Sequence, residues 1–485
     1  MNNVRSFALL LFLLVAIAAG CGEEAASGPA GASVVPASAQ LFVSIDSDSG
    51  SDQWNQAGAL LDKFPGGDKL IASALGELSK EGLDFHQDVE PALGPETDIV
   101  GLDLSGEGEF IGLTQPDDAQ KLKDLLAKGD QPMVSREIDG WTAFAETDAV
   151  LDKFDAARKQ GTLADASDYQ DAMGEVNQDG LVRLYLNGSG LAEAIAKEQG
   201  TSAAQFDTFF PGGKIPSFAV SVTAEENGAR VEGASTSTDE STFTTDNFKP
   251  ELPDEVPGGV LFYANGNDLE QAFSRARDAL AEQDPQFDQD LARLEAQIGV
   301  SLDEDVFPLF SGETAIYMRP SLLIPEVTLI THVDDEDAAM ATVNKLATAI
   351  GQYVPAAQRV LDVDISGVQA KQMPISGPVS LYWAAFDGHL VLTTSRAGIA
   401  DLKSGDNRLA DDEDFKSALE QADMPDETTG FLYVNLHDAI SSVLGLGGEN
   451  VPPDVRANVE LLDSLVVWSS KDGKTLRFAG FLSVN

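Results

Sequence analysis

One cysteine and four histidines in 485 residues leave little from which to build a zinc cluster, and a lone cysteine cannot close a disulfide within the chain. Positive charge is scarce too. The 31 Lys and Arg stand against 80 Asp and Glu, a formal charge of −49, which excludes a basic footprint for nucleic acid. Nucleophile and phosphate signatures are also missing. No G-x-S-x-G elbow occurs, because Asn187-Gly188-Ser189-Gly190 spaces its residues too closely, and neither His-Glu-x-x-His nor a glycine-rich loop ending in Gly-Lys-Ser/Thr is found. No cofactor is expected. What is there is 43% hydrophobic and only 23% charged, so despite its acidity the chain has the means to bury substantial cores.

The N-terminus carries a targeting pattern. Arg5 precedes the apolar run Phe7–Ala19, which is too short to cross a bilayer comfortably and is expected to be the hydrophobic region of a signal peptide. The run ends in Ile17-Ala18-Ala19-Gly20-Cys21, which resembles a bacterial lipobox. Cys21 is then the expected lipid attachment point and first mature residue. Residues 21–34 (CGEEAASGPAGASV) lack apolar periodicity and are expected to form a flexible tether.

The body is duplicated. The stretch from Gly82 to Ile99 returns 217 residues later as Gly299 to Ile316, with Asp88, Val89, Pro91, Glu96, Thr97 and Ile99 unchanged, and Thr114, Asp117 and Asp118 recur as Thr331, Asp334 and Asp335. Val35-Pro36 corresponds to Val256-Pro257. Asp139-Gly140 corresponds to Asp387-Gly388, and Leu163-Ala164-Asp165 with Tyr169 corresponds to Leu409-Ala410-Asp411 with Phe415. These anchors place a signal peptide at 1–20, a tether at 21–34, a first repeat at 35–245, a linker at 246–253 and a second repeat at 254–485.

Period-two runs such as QLFVSI, DIVGLDL, LVRLYL, VTLITHV and FLYVNL predict strands, and Asp-Gly or Asn-Gly pairs between neighbouring runs predict hairpins. Apolar stripes at Ala339, Val343, Leu346 and Ile350, and at Leu269, Phe273, Ala276 and Leu280, predict helices between them. The expected fold class is α+β, two tandem copies of a mainly antiparallel sheet layered with helices.

Together the lipobox, the VP-opened strand LFVSID and the segments DVEPALGPETDIVGL, DVFPLFSGETAIYM and TQPDDAQKL resemble the bacterial family DUF3352. The resemblance implies an exported or membrane-attached protein of actinobacterial type. It carries no established activity and transfers no catalytic residue.

Candidate chemistry is thin. Asp46, Asp48 and Asp52 form an oxygen-rich loop that Ca²⁺ could use, but the EF-hand glycine is one place early and the closing glutamate is missing, so capping of the following helix competes with metal binding. Asp334–Asp337 and Asp411–Asp414 precede helical stripes and are expected to cap them. The repeated Glu96-Thr97 and Glu313-Thr314 either cap backbone N–H groups or place an acid near the meeting of the two copies. His86, His332, His389 and His437 form no constellation, and the four tryptophans are core candidates.

The expectation is a lipoprotein on the extracytoplasmic face of the bacterial cell membrane. It would meet the lipid bilayer through acylated Cys21 and bind or organise an extracytoplasmic protein or cell-wall component without catalysis. A carboxylate- or metal-assisted hydrolase and a structural spacer or assembly subunit are the alternatives.

Overall fold

The computed structural model describes residues 29–67, 76, 82–128, 132–199, 214–237, 243–284, 286–321, 325–353, 359–377, 379–447 and 451–485. The apolar run Phe7–Ala19 and Cys21 lie outside the described residues, and among those described no helix is long and apolar enough to cross a membrane. The fold is α+β, with eighteen strands among the described residues and every named pairing antiparallel. In the first half these are β1 (Leu41–Asp46), β2 (Glu96–Asp103), β3 (Glu109–Thr114), β4 (Val134–Ile138), β5 (Trp141–Ala145), β6 (Val182–Leu186), β7 (Ser217–Glu225) and β8 (Gly228–Thr236). In the second they are β9 (Phe262–Gly266), β10 (Thr314–Arg319), β11 (Glu326–His332), β12 (Leu361–Ile365), β13 (Val368–Ser376), β14 (Val379–Phe386), β15 (His389–Thr393), β16 (Gly430–Asn435), β17 (Leu462–Asp472) and β18 (Thr475–Val484).

The chain forms two compact units. Of the described residues, the first comprises those up to Phe243 with Pro452–Leu461 and Asp472–Asn485, and the second those of Thr244–Val451 and Leu462–Lys471. In the first, the strands are ordered β4-β5-β3-β2-β1-β6-β7-β8-β18. In the second, the order is β12-β13-β14-β15-β11-β10-β9-β16-β17. Setting aside the extra hairpin β12–β13, seven strands follow the same path in both units, which is the duplication expressed as topology.

Residues 452–461 and 472–485 belong to the second repeat by sequence and pack in the first unit. The reason lies at an edge. β8 would expose a row of N–H and C=O groups, and β18 satisfies it over nine register pairs from Thr475↔Thr236 to Ser483↔Gly228. Phe478 lies opposite Gly233, whose missing side chain makes room for the ring, and stacks on Phe218 at 5.4 Å.

Turn chemistry sets the hairpins. Asp139-Gly140 and Asp387-Gly388 both have positive φ at each position (50° and 86°, 53° and 80°), the type I′ geometry that matches strand twist. Behind the first sheet, Phe42, Val100, Ile111, Trp141, Leu151, Phe154, Tyr169 and Tyr185 make one core. In the second unit, Val333, Ala339, Val343, Met373, Trp383 and Leu390 make another. The predicted helices form as Leu269–Gln283 and Glu336–Tyr353. Of their expected stripes, Ala339 and Val343 are buried, whereas Leu280 and Ile350 remain 50% and 44% exposed.

Residues 30–34, the end of the stretch expected to be a tether, are folded. Ala30–Ser33 is a 3₁₀ turn with Gly31 and Ala32 buried.

Candidate functional site

Each sheet is crossed by a short strap held in the same way in both units. In the first unit the Glu96 carboxylate accepts the N–H groups of Ala30 (3.1 Å) and Gly31 (2.8 Å). In the second, Glu313 accepts those of Glu251 (2.8 Å) and Leu252 (3.1 Å) at the start of the 3₁₀ turn Leu252–Asp254. Farther along, the carbonyls of Val35 and Val256 accept the N–H of Leu163 and Leu409, each at 2.8 Å, from the repeated Leu-Ala-Asp turns. The repeated Glu-Thr motif is therefore a clamp for the strap. Its threonines are structural too: Thr314 and Thr331 face each other across β10 and β11, their hydroxyls 2.7 Å apart, and Thr331 donates to the Leu309 carbonyl.

What lies beneath the strap differs. In the first unit a row of residues runs across β2, β1, β6 and β7 as Asp98, Ser44, Arg183 and Ser221 in direct register, all almost wholly buried. Arg183 donates to Ser44 Oγ at 3.1 Å and to the Gln178 carbonyl at 2.6 Å, and its guanidinium lies 3.9 Å from Glu96. Neither Asp98 oxygen has a hydrogen-bond partner among the described residues, and the same holds for Arg183 Nε, Tyr169 Oη and Ser221 Oγ. Burial first, and then the adjoining Glu96 charge, push the Asp98 carboxyl well above the usual aspartate range, against smaller opposing effects of Ser44 and Arg183. Burial likewise raises the Tyr169 phenol.

In the second unit the matching register positions on β10, β9, β16 and β17 are Ala315, Asn265, Phe431 and Trp468. Phe415 stands where Tyr169 does, without the hydroxyl. Asn265 ties the row to the clamp, donating to Glu313 at 2.9 Å and accepting the Phe431 N–H at 3.1 Å. Phe415 and Phe431, with ring centroids 6.1 Å apart, form the floor of a cleft of about 600 Å³. Leu419, Met424, Pro250, Pro253 and Pro425 add apolar wall, and Lys249, Lys416, Asp254, Glu420, Asp423 and Asp426 add charge at the rim. Such a volume is within the range of ligand-sized sites.

The residues singled out from sequence take structural places. Asp46 accepts the Asp48 N–H and the Ser51 hydroxyl, Asp48 accepts the Gly50 N–H, and Asp52 sits in the first turn of helix Asp52–Asp62. These three carboxylates thus serve a turn and a helix start, and among the described residues no group of three acidic, histidine or cysteine side chains is placed to hold a metal ion. Asp335 accepts the Ala338 N–H and Asp412 those of Asp414 and Phe415, both as helix caps. His332 and His389, separate in sequence, are register partners with rings 5.4 Å apart, and His389 approaches Glu255 at 3.4 Å. Trp54, Trp141 and Trp383 are buried. The buried and half-buried acids whose pKa is raised by desolvation, Asp46, Asp98, Glu313 and Glu326, do not line the cleft.

Sequence reasoning missed both the charged row and the cleft. A signal was present: Asp98 and Arg183 occupy the inward-facing parity of DIVGLDL and LVRLYL, shared with Val100 and Tyr185, where an apolar residue is the rule.

The architecture defines a class: a duplicated α+β scaffold with a clamped strap over each sheet. The chain belongs to the DUF3352 family, described as a protein of unknown function, whose model matches residues 115–484. No curated protein matches the chain.

Proposed function

We propose that this chain is an extracytoplasmic lipoprotein, anchored through acylated Cys21, that acts as a non-enzymatic binding module, with the cleft of the second unit as its binding surface. The observation that carries the reading is the aromatic floor of Phe415 and Phe431 beneath a rim of mixed charge. The ligand class follows from the lining. Four carboxylates outnumber two lysines at the rim, and the field of a chain with formal charge −49 favours cations. The floor and the proline walls suit an extended apolar segment, so the ligand is a peptide or protein segment combining apolar and basic side chains. The anchor rests on the residue pattern before Cys21. A catalytic reading has less support, since the cleft acids Asp254, Glu420, Asp423 and Asp426 are all exposed and none is desolvated for acid–base work.

The test measures fluorescence anisotropy of a labelled peptide of alternating Leu and Lys on the full-length protein in detergent, beside its Leu/Glu counterpart. The Leu/Lys peptide binds saturably and the Leu419→Asp variant weakens it at least tenfold. Equal binding of both peptides, or an unaffected variant, discards the cleft reading. Separately, mass spectrometry of the membrane-extracted N-terminus finds a diacylglyceryl adduct on Cys21, and an unmodified Cys21 discards the anchor.

A further inference from the structure

The buried acid of the first unit lies directly under the strap. A Cβ added to Gly31 would fall 1.7 Å from Asp98 Oδ2 and 3.3 Å from Glu96 Oε1, so backbone and carboxyl are in contact with nothing between them. The groups facing Asp98 can be named element by element. They are Glu96 on its own strand, Arg183 on β6 and Tyr169 from helix Ser167–Met173, with Ser44 on β1 and Leu113 on β3 contributing no charge. The strap itself, Ala30-Gly31-Ala32-Ser33, brings no titratable side chain. In this site closed by the strap the one guanidinium lies 3.9 Å from Glu96, which is already committed to the N–H groups of Ala30 and Gly31, while Asp98 has neither an ion-pair nor a hydrogen-bond partner among the described residues.

We propose that this strap is a proton-gated latch: it stays docked while Asp98 carries a proton and is released when that proton leaves. A second negative charge beside Glu96 is tolerable only if water reaches Asp98, and water reaches it only when Gly31 lifts away. The sign follows from linkage. The docked state holds the proton at a pH where a solvated aspartate has lost it, so docking weakens as pH rises from the ordinary aspartate range toward the raised value. Across that window the docking constant falls up to about tenfold per pH unit. The second unit supplies an internal reference, because its strap is clamped by Glu313 but has Ala315 in place of the buried acid.

The consequence for reach rests on the anchor proposed above. Ala30, the first residue held by Glu96, is nine positions beyond Cys21, a span of at most about 32 Å, and freeing the strap as far as Val35 extends this to about 50 Å. Release would let the folded body stand farther from the bilayer.

The test is hydrogen exchange, followed by mass spectrometry, on the full-length protein in detergent from about pH 5 to pH 8. Protection of residues 30–35 is divided by that of 251–256, which cancels the intrinsic pH dependence of exchange. The ratio falls with rising pH, by up to about tenfold per unit where Asp98 titrates, and Asp98→Asn makes it flat. Gly31→Ala, which collides with Asp98, leaves residues 30–35 unprotected at every pH. A wild-type ratio that does not change with pH overturns the latch without recourse to any variant, as does an Asp98→Asn protein with the wild-type slope. Neither outcome bears on Cys21 or on the cleft.

Discussion

The two units share a strand path, a strap, a glutamate clamp and a Leu-Ala-Asp turn, yet beneath the strap one is ionic and closed whereas the other is aromatic and open. Asp98, Ser44, Arg183, Ser221 and Tyr169 in the first unit stand where Ala315, Asn265, Phe431, Trp468 and Phe415 stand in the second. What the copies keep in common is what holds the backbone. What differs is the row of side chains lying under it. In the first unit Arg183 reaches the Gln178 carbonyl and Gln178 donates to the Val176 carbonyl at 2.7 Å, knitting that end of the row shut. In the second, Phe431 has no such reach, and Met424, Pro425 and Asp426 border the cleft. Duplication has preserved a scaffold and let the row beneath its strap diverge.

Exchanging the pivotal residue breaks this comparison most severely. Arg183→Phe leaves the half-buried Glu96 carboxylate without its cation and is expected to destabilise the first unit by up to about 3–5 kcal/mol. Guanidinium denaturation followed by hydrogen exchange in each unit measures it. Converting the rest of the row, as Asp98→Ala with Arg183→Phe, recovers part of the loss, since it also removes the buried, unpartnered acid beside Glu96. If the double variant is as unstable as the single one, the rows are not interchangeable and the comparison fails.

The clamps give a smaller and asymmetric effect. Glu313→Gln weakens two charge-assisted bonds to Glu251 and Leu252 and is expected to cost about 1–2 kcal/mol. Glu96→Gln removes the same kind of bonds to Ala30 and Gly31 and also the carboxylate 3.9 Å from the buried Arg183, so its net cost is larger even though it relieves Asp98 of a negative neighbour. The difference is read from denaturation midpoints at constant m-value. An equal or smaller loss at Glu96 than at Glu313 would mean that relief of Asp98 outweighs the lost partner of Arg183.

Much of the scaffold was legible because backbone needs recur in sequence. The duplicated Glu96/Glu313, Thr97/Thr314 and Thr114/Thr331 marked the clamp and the facing threonines, and the period-two runs marked their strands. Strands β4, β8, β12 and β13 escaped: VSREI carries three polar residues in a row, and LDVDI alternates but with aspartates, which strands disfavour, both at a sheet edge where one side needs no burial. The expected stripe through Leu280 failed for another reason: periodicity reports that a face is apolar, not that something covers it. The site was the least legible part. Its elements are single residues on four strands and a helix, joined only by register, so Arg183 and Asp98 look unrelated until the strands pair.

The smallest expected effect tests whether the scaffold really is equivalent in the two units. Gly140 and Gly388 occupy the second position of matched type I′ turns with φ of 86° and 80°. A Cβ at Gly140 would approach only Gln115 Nε2 at 4.0 Å, and one at Gly388 only His332 Cε1 at 3.6 Å and Nδ1 at 3.9 Å, all ordinary contacts. With no collision at either site, the penalty of an Ala substitution comes from backbone conformation alone, about 1–2 kcal/mol in the left-handed region. The penalties of Gly140→Ala and Gly388→Ala should therefore agree within about 0.5 kcal/mol in denaturant titrations, and Asn, which tolerates positive φ, should recover part of each. Unequal penalties would show that the hairpins β4–β5 and β14–β15 carry different loads. The extra pairing of β14 with β13, absent beside β4, would then be the first place to look.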